Sequence, residues 1–188
     1  LNLDITDFDA LRIVCDSENV NAIVNCAAYT NVDKAEDEPS MAMLLNCTAA
    51  GNLSKVARER DAALIHISTD YVFHGDIPMP CKEDWPTNPL GVYGSTKLAG
   101  EKEIEKSGCK SIIIRTAWLY SPYGRNFVKT MLRLTEECDS LKVVFDQIGT
   151  PTYAHDLATL IAAIIDNDRL GDTGIYHFSN EGAISWYD

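Results

Sequence analysis

The chain has 188 residues, 46% of them hydrophobic and 23% charged, which is enough for a sizeable core and unlike a disordered or fibrous polypeptide. A formal net charge of -12 argues against a nucleic-acid backbone or an anionic membrane surface as the main partner, because both reward clustered Lys and Arg.

In chain order, "LNLDITD" opens as an apolar stretch already under way, without an initiator Met. Residues 22–28 ("AIVNCAA") form an apolar run of strand length. Glu36, Asp37 and Glu38 precede Pro39, a first-turn proline, and their charges suit the start of a helix that keeps its apolar spacing to about Arg60. Residues 63–68 ("ALIHIS") read as a second strand and residues 93–106 as a second helix. A strand over 111–119, a helix over 126–138, a strand over 141–145 ("LKVVF") and an apolar helix over 154–165 follow, the last with Asp156 near its start. The closing "GAISWYD" stops without a terminal element, so both ends read as cuts in a longer chain. Alternating strands and helices imply crossover connections, and the runs of apolar residues suit strands buried on both faces. The fold class is therefore α/β, a doubly wound Rossmann-like and mostly parallel sheet.

Ligands of such sheets bind beyond the carboxyl ends of the strands, which selects residues 26–30, 68–72 and 116–120. Near the second of these, "VYGSTKLAGEKE" places Tyr93 four residues before Lys97, on one face of a helix. A lysine ammonium there favours the phenolate and lowers a phenol's ordinary pKa of about 10 by roughly 1 to 3 units, which makes Tyr93 a general acid for a developing alkoxide. Lys97 is also free to hold a ribose hydroxyl. The bland alternative has Tyr93 packing and Lys97 solvated. Thr69, at the end of "HISTDYVFHG", offers a hydroxyl to orient a substrate carbonyl, or merely lines the strand end with Ser68.

A strand-end hydroxyl followed by Y-x-x-x-K resembles the extended short-chain dehydrogenase/reductases. More narrowly, "NCAAYTNVDKAEDEP", "LNCTAAGNL", "ISTDYVFHG", "PLGVYGSTKLAGE", "RTAWLYSPYGRNFVKTML" and "DQIGTPTYAHDLA" together resemble the dTDP-4-dehydrorhamnose reductase family, from about Asp4 to Trp186. The resemblance implies a catalytic trio of Thr69, Tyr93 and Lys97. It puts Ala28, Tyr29 and Thr30 along a nicotinamide cofactor, NADPH or NADH, with Asp4 and Ile5 near its adenine and Tyr93 and Lys97 also on the cofactor. Substrate contacts fall on Thr69, Asp70 and Trp118, whose indole is a flat wall for a deoxysugar ring or else a core aromatic. The implied reaction is reduction of the C4 ketone of dTDP-4-dehydro-L-rhamnose to dTDP-L-rhamnose, a step of nucleotide-sugar and cell-surface polysaccharide biosynthesis.

No G-x-x-G-x-x-G stretch occurs, so the first strand and its pyrophosphate-binding turn are expected before Leu1. Residues 1–140 are then a partial dinucleotide-binding domain, and residues 141–188 a mixed segment contributing to the substrate-binding region and returning to the core. Rival readings remain. A 4,6-dehydratase would carry a glutamate after Asp70, where this chain has Tyr71. An epimerase would need tightly held NAD, and a regulatory protein like the methionine adenosyltransferase beta subunit would act through a partner. Cys15, Cys26, Cys47, Cys81, Cys109 and Cys138 form no C-x-x-C pair and are read as buried or half-buried free thiols of a reducing compartment. With no signal peptide and no apolar run of 18 residues, a cytoplasmic location and no membrane partner are expected. The family resemblance adds a dTDP-sugar as partner, a homodimer and use of magnesium through residues that cannot be located, since His66, His74, His155 and His177 are far apart in sequence.

Overall fold

The computed structural model describes residues 3–76 and 79–188. In chain order its elements are α1 (Phe8–Ser17), β1 (Ala22–Asn25), α2 (Val32–Asp37), α3 (Pro39–Met43), a π-helical turn (Leu44–Thr48), α4 (Ala49–Glu59), β2 (Ala63–Thr69), a 3-10 turn (Asp70–Val72) and α5 (Val92–Ser107). Then come β3 (Lys110–Thr116), β4 (Leu119–Tyr120), α6 (Phe127–Glu137), β5 (Ile148–Gly149), β6 (Thr152–Tyr153), α7 (Ala154–Asp166), β7 (Gly174–His177) and β8 (Ile184–Ser185). The main sheet has the order β1-β2-β3-β7, with β1 parallel to β2 and β3 parallel to β7. This is the α/β, mostly parallel architecture that the alternating pattern predicts.

Two compact units share the chain. The first runs up to Arg115 and takes in Asn167–His177; the second comprises Thr116–Asp166 and Phe178–Asp188. The chain thus changes unit three times, where the sequence reading draws one line after residue 140. The reason lies in the sheet: β7 must return to pair with β3, Ile112 opposite Gly174 and Arg115 opposite His177.

In the first unit, Leu11 and Cys15 of α1, Leu53 and Val56 of α4, Leu64 of β2, Ile104 of α5 and Ile113 of β3 form one buried cluster. Burying each large aliphatic side chain contributes about 1.5–3 kcal/mol, so these helices are fixed to the sheet mainly by apolar contact. In the second unit, β4 pairs in parallel with β6, and β5 antiparallel with β8. Trp118, at φ +48°, stacks on Trp186 with ring centroids 3.7 Å apart, and Phe127 tilts against the same indole at 4.6 Å. These rings line a pocket of about 290 Å³ together with Tyr120, Pro151 and Ile184.

Several local expectations need correction. α1 is unannounced in the sequence reading, although Asp7 caps it by accepting the Ala10 N–H at 3.0 Å and Leu11 and Cys15 give it a buried stripe. β1 ends at Asn25 rather than continuing to residue 28, because the Asn25 side chain accepts the Ala27 N–H at 3.1 Å and turns the chain. Pro39 opens α3 as expected, but the acidic residues before it close α2 instead: Glu36 accepts the Val92 N–H at 2.7 Å, and Glu38 accepts the Tyr29 hydroxyl at 2.6 Å. The helix to Arg60 is interrupted by the π-helical turn. Residues 141–145 are not a strand, and Phe145 is 73% exposed; β7 is the strand that the sequence reading lacks. All six cysteines are free, and of these Cys26 and Cys138 are exposed rather than buried. Among the described residues no helix is long and apolar enough to cross a membrane.

Candidate active site

β2 ends on buried Thr69, whose hydroxyl accepts the Tyr71 N–H at 3.2 Å and donates to Asp70 Oδ1 at 3.2 Å, capping the 3-10 turn that follows. α5 brings Tyr93 back to this strand end, near enough to Thr69 for its hydroxyl to act on the phenol's pKa. Tyr71 packs edge-on to the Tyr93 ring at 5.5 Å. Burial raises the Tyr93 pKa above 10; the Thr69 hydroxyl lowers it, and the nearby Asp70 and Tyr71 raise it further. At neutral pH the phenol therefore carries its proton. Asp70 itself is raised by burial, against hydrogen bonds to Thr69 and the backbone that lower it.

Lys97 lies one turn along α5 and is only 2% exposed, so the reading of a solvated lysine is set aside. Its Nζ donates to the Ile67 carbonyl at 2.6 Å and sits 3.3 Å from His66 Nε2. Burial lowers its pKa from 10.5 to about 8, with Glu101 and Cys26 raising it. Lys97 is not among the groups that shift Tyr93, so the expectation that its charge lowers the phenol's pKa is not met in this arrangement. The amine is engaged by β2 instead. His66 is buried, and desolvation followed by the Lys97 charge holds it well below the ordinary histidine range.

Close backbone approach holds α5 in this place. A Cβ on Gly94 would lie 2.3 Å from the Tyr71 carbonyl oxygen, and one on Gly100 would lie 2.1 Å from that of Asn46. Only glycine fits either position. Asn46, buried in the π-helical turn, accepts the Tyr29 N–H at 2.8 Å and donates to the Tyr29 carbonyl at 3.1 Å and to Thr96 Oγ1 at 3.1 Å. It therefore ties the segment after β1 to α5. A buried ion pair anchors the middle of the helix: Arg115 donates to Glu101 at 3.0 and 2.7 Å, and Ser68 Oγ donates to the same carboxylate at 2.5 Å. Asn25, Asn46, His66, Gly94, Gly100 and Glu101 were all missed by sequence reasoning. Their roles depend on partners many positions away, and only the two glycines, Gly94 within the Y-x-x-x-K stretch and Gly100 three residues after it, offered a local signal.

The remaining predicted residues divide. Tyr29 follows β1, half-buried, with its backbone held by Asn46 and its hydroxyl by Glu38; Ala28 is half-buried beside it and Thr30 exposed. Asp4 is exposed and occupied locally, accepting the Thr6 N–H at 2.9 Å and the Thr6 hydroxyl at 2.8 Å, while Ile5 packs against the first unit's core. Trp118 belongs to the second unit and lines its aromatic pocket. The structure thus brings Thr69, Asp70, Tyr93 and Lys97 to the end of β2, with residues 28–30 following the neighbouring strand. Among the described residues no group of three or more His, Cys, Asp or Glu side chains is placed to hold a metal ion.

The family described as RmlD substrate binding domain matches residues 1–188. The chain is 46% identical over 189 residues to the dTDP-4-dehydrorhamnose reductase of Aggregatibacter actinomycetemcomitans, a match that covers 99% of this chain and 64% of that protein. It is 48% identical over 168 residues to the dTDP-4-dehydrorhamnose reductase of Escherichia coli K12, covering 88% of this chain and 56% of the relative. The crystal structure of dTDP-4-dehydrorhamnose reductase from Bacillus anthracis in complex with NADP superimposes with a TM-score of 0.94 at 43% identity, over 98% of this chain and 66% of that one. The chain therefore spans between about half and two thirds of the length of these relatives.

Proposed function

Because the chain belongs to the RmlD substrate binding domain family, we propose that the protein reduces the C4 ketone of dTDP-4-dehydro-L-rhamnose, with NADPH or NADH as the reductant. The observation that carries this reading is the placing of a Tyr93 phenol that keeps its proton at neutral pH beside Thr69 at the end of β2, one helical turn from a buried lysine. A general acid must enter the reaction protonated. The names of the relatives and the NADP bound in the Bacillus anthracis structure support the substrate and cofactor class.

The residues present fit the nicotinamide end of such a cofactor: Tyr93 and Lys97 stand at the end of β2, beside the segment that leaves β1, with residues 28–30 on it. The nicotinamide supplies the hydride to the carbonyl carbon. The Tyr93 hydroxyl gives its proton to the carbonyl oxygen, leaving a phenolate that solvent reprotonates. Thr69 steadies the carbonyl, and Lys97 binds the nicotinamide ribose. Ala28, Tyr29 and Thr30 lie along the cofactor and Asp4 and Ile5 toward its adenine, while Asp70 and Trp118 contact the sugar nucleotide. The dinucleotide-binding part lies within residues 1–140, and residues 141–188 contribute to the substrate region and return to the core, where β7 joins the main sheet. A cytoplasmic homodimer belongs to the same reading, with sedimentation as its check.

The test is NADPH or NADH oxidation in the presence of dTDP-4-dehydro-L-rhamnose. Tyr93→Phe is expected to lower kcat by about 100-fold or more while keeping cofactor affinity. An unchanged kcat would remove Tyr93 from the reaction. Absence of any turnover by the full-length protein, with tight capture of a partner protein, would favour the regulatory alternative.

A further inference from the structure

We infer that Glu36 is a positioning residue for Tyr93: reaching over from α2, its carboxylate caps the first turn of α5 and so holds the phenol at the end of β2. The first turn of a helix leaves backbone N–H groups without partners. α1, α2 and α6 meet this need locally, through the Asp7, Asn31 and Asn126 side chains that directly precede them. α5 has no such means, because the residue before it is Gly91 and its first residues are Val92, Tyr93 and Gly94. The cap comes from 56 positions away: Glu36 Oε1 accepts the Val92 N–H at 2.7 Å, immediately before Tyr93. A carboxylate there also opposes the positive end of the helix dipole.

Gly91 and Glu36 fit each other. A Cβ at Gly91 would lie 2.8 Å from Glu36 Oε1, and among the described residues its next contact would be Glu36 Cδ at 4.0 Å. The glycine that cannot cap its own helix therefore leaves room for the carboxylate that does. The neighbours of Glu36 are engaged elsewhere: Asn31 caps α2 itself, while Glu38 takes the Lys34 ammonium at 2.8 Å and the Tyr29 hydroxyl at 2.6 Å. Since α2 follows directly on residues 28–30, the cap joins the segment assigned to the cofactor to the helix that carries the proton donor. A separate tie runs through Asn46, which holds the Tyr29 backbone and Thr96 of α5 without help from Glu36. Removing Glu36 should therefore release Val92 and Tyr93 while residues 28–30 stay in place. The bearing of the cap on turnover rests on the role proposed for Tyr93 above; the cap itself does not.

Amide hydrogen exchange of the full-length protein reads the cap without turnover. Val92 should exchange about tenfold faster in Glu36→Ala than in the parent, and by a similar factor in Gly91→Ala, whose methyl displaces the carboxylate. Glu36→Gln keeps an acceptor oxygen and loses only the charge, so its exchange and its kcat should return to within about threefold of the parent. In NADPH or NADH oxidation with dTDP-4-dehydro-L-rhamnose, Glu36→Ala and Gly91→Ala should each lower kcat about tenfold and change the cofactor KM less than about threefold. Both substitutions break one contact, so the double variant should be within about twofold of Glu36→Ala, whereas independent effects would multiply to about 100-fold. A Val92 exchange rate or a kcat unmoved by Glu36→Ala, a Glu36→Gln protein as slow as Glu36→Ala, or losses that multiply would each overturn the proposal. A full-length parent without turnover refutes the reductase reading instead. Carbon-13 NMR of the tyrosine Cζ then decides the positioning: the Tyr93 midpoint, held above 10 by burial, should fall toward 10 in Glu36→Ala but not in Glu36→Gln, and a midpoint unmoved in Glu36→Ala overturns it.

Discussion

Replacing Gly94 by alanine sets two effects of opposite sign against each other. Helix propensity favours alanine by about 0.5–1 kcal/mol. The added methyl, however, falls 2.3 Å from the Tyr71 carbonyl oxygen and 3.0 Å from Pro89 Cβ. An ordinary contact needs about 1 Å more, and the obstacle is backbone, which has no rotamer to change. α5 must retreat at its first turn or the 3-10 turn must yield, at a cost of about 1–3 kcal/mol. Gly51 of α4 is the control, since its Cβ would meet Glu103 Cβ at 3.4 Å, an ordinary contact. Urea unfolding followed by circular dichroism should show Gly51→Ala at least as stable as the parent and Gly94→Ala less stable than the parent by about 1 kcal/mol, the clash outweighing the propensity gain. Turnover should fall by about 100-fold in Gly94→Ala, because a 1 Å displacement of Tyr93 from Thr69 spoils the reacting geometry. A Gly94→Ala protein as stable as Gly51→Ala would refute the claim that backbone contact fixes α5 at the site.

Glu101→Ala leaves Arg115 buried at 4% exposure without its partner and removes the acceptor of Ser68, so a loss of about 3–5 kcal/mol is expected in the same urea titration; a loss below about 1 kcal/mol would show that the pair contributes little. Lys97 predicts a pH dependence of stability. Its folded pKa is lowered from 10.5 to about 8, so between those values the unfolded chain binds the extra proton and stability rises with pH. The gain is about 3 kcal/mol across the window and should be missing in Lys97→Met; parallel pH profiles of the two proteins would contradict it.

The long buried strands and the helices α4 and α5 of the first unit were legible because their periodicity is local. β2 and β3 are runs of apolar residues, and α5 ends where Gly108 takes φ +67°, a left-handed cap that glycine favours. Short elements were not legible. "GIYH" holds one glycine, one tyrosine and one histidine in four residues and becomes β7 only by pairing with β3. Conversely "LKVVF" has strand composition, yet Val144 and Phe145 are largely exposed and no partner strand recruits them. The Thr69 and Tyr93 convergence follows from strand-end and helix-start positions that the sequence displays. His66 was dismissed because no other histidine lies near it in sequence, whereas its partners Asn25 and Lys97 lie 41 and 31 positions away.

Spacing alone also misplaced the effect of Lys97. A four-residue separation puts two side chains on one helix face, but it does not choose between partners available on that face. For a surface pair the neighbouring phenol would be the natural partner of the amine. Here the helix face is pressed onto β2, and an amine buried to 2% exposure must satisfy its hydrogens where it lies. The Ile67 carbonyl, at 2.6 Å, does this at a strand end where the residue's own sheet position leaves its oxygen turned toward α5. Leaving that acceptor costs about 1–3 kcal/mol unless another takes its place. A ribose hydroxyl supplies both an acceptor for the amine and a donor for the phenol. Binding of the cofactor class proposed above would thus be the event that draws Lys97 from the carbonyl toward Tyr93, and the lowering of the phenol's pKa would appear only then. On this reasoning the lysine's effect on Tyr93 belongs to the loaded site, and the raised phenol pKa belongs to the state that waits for it.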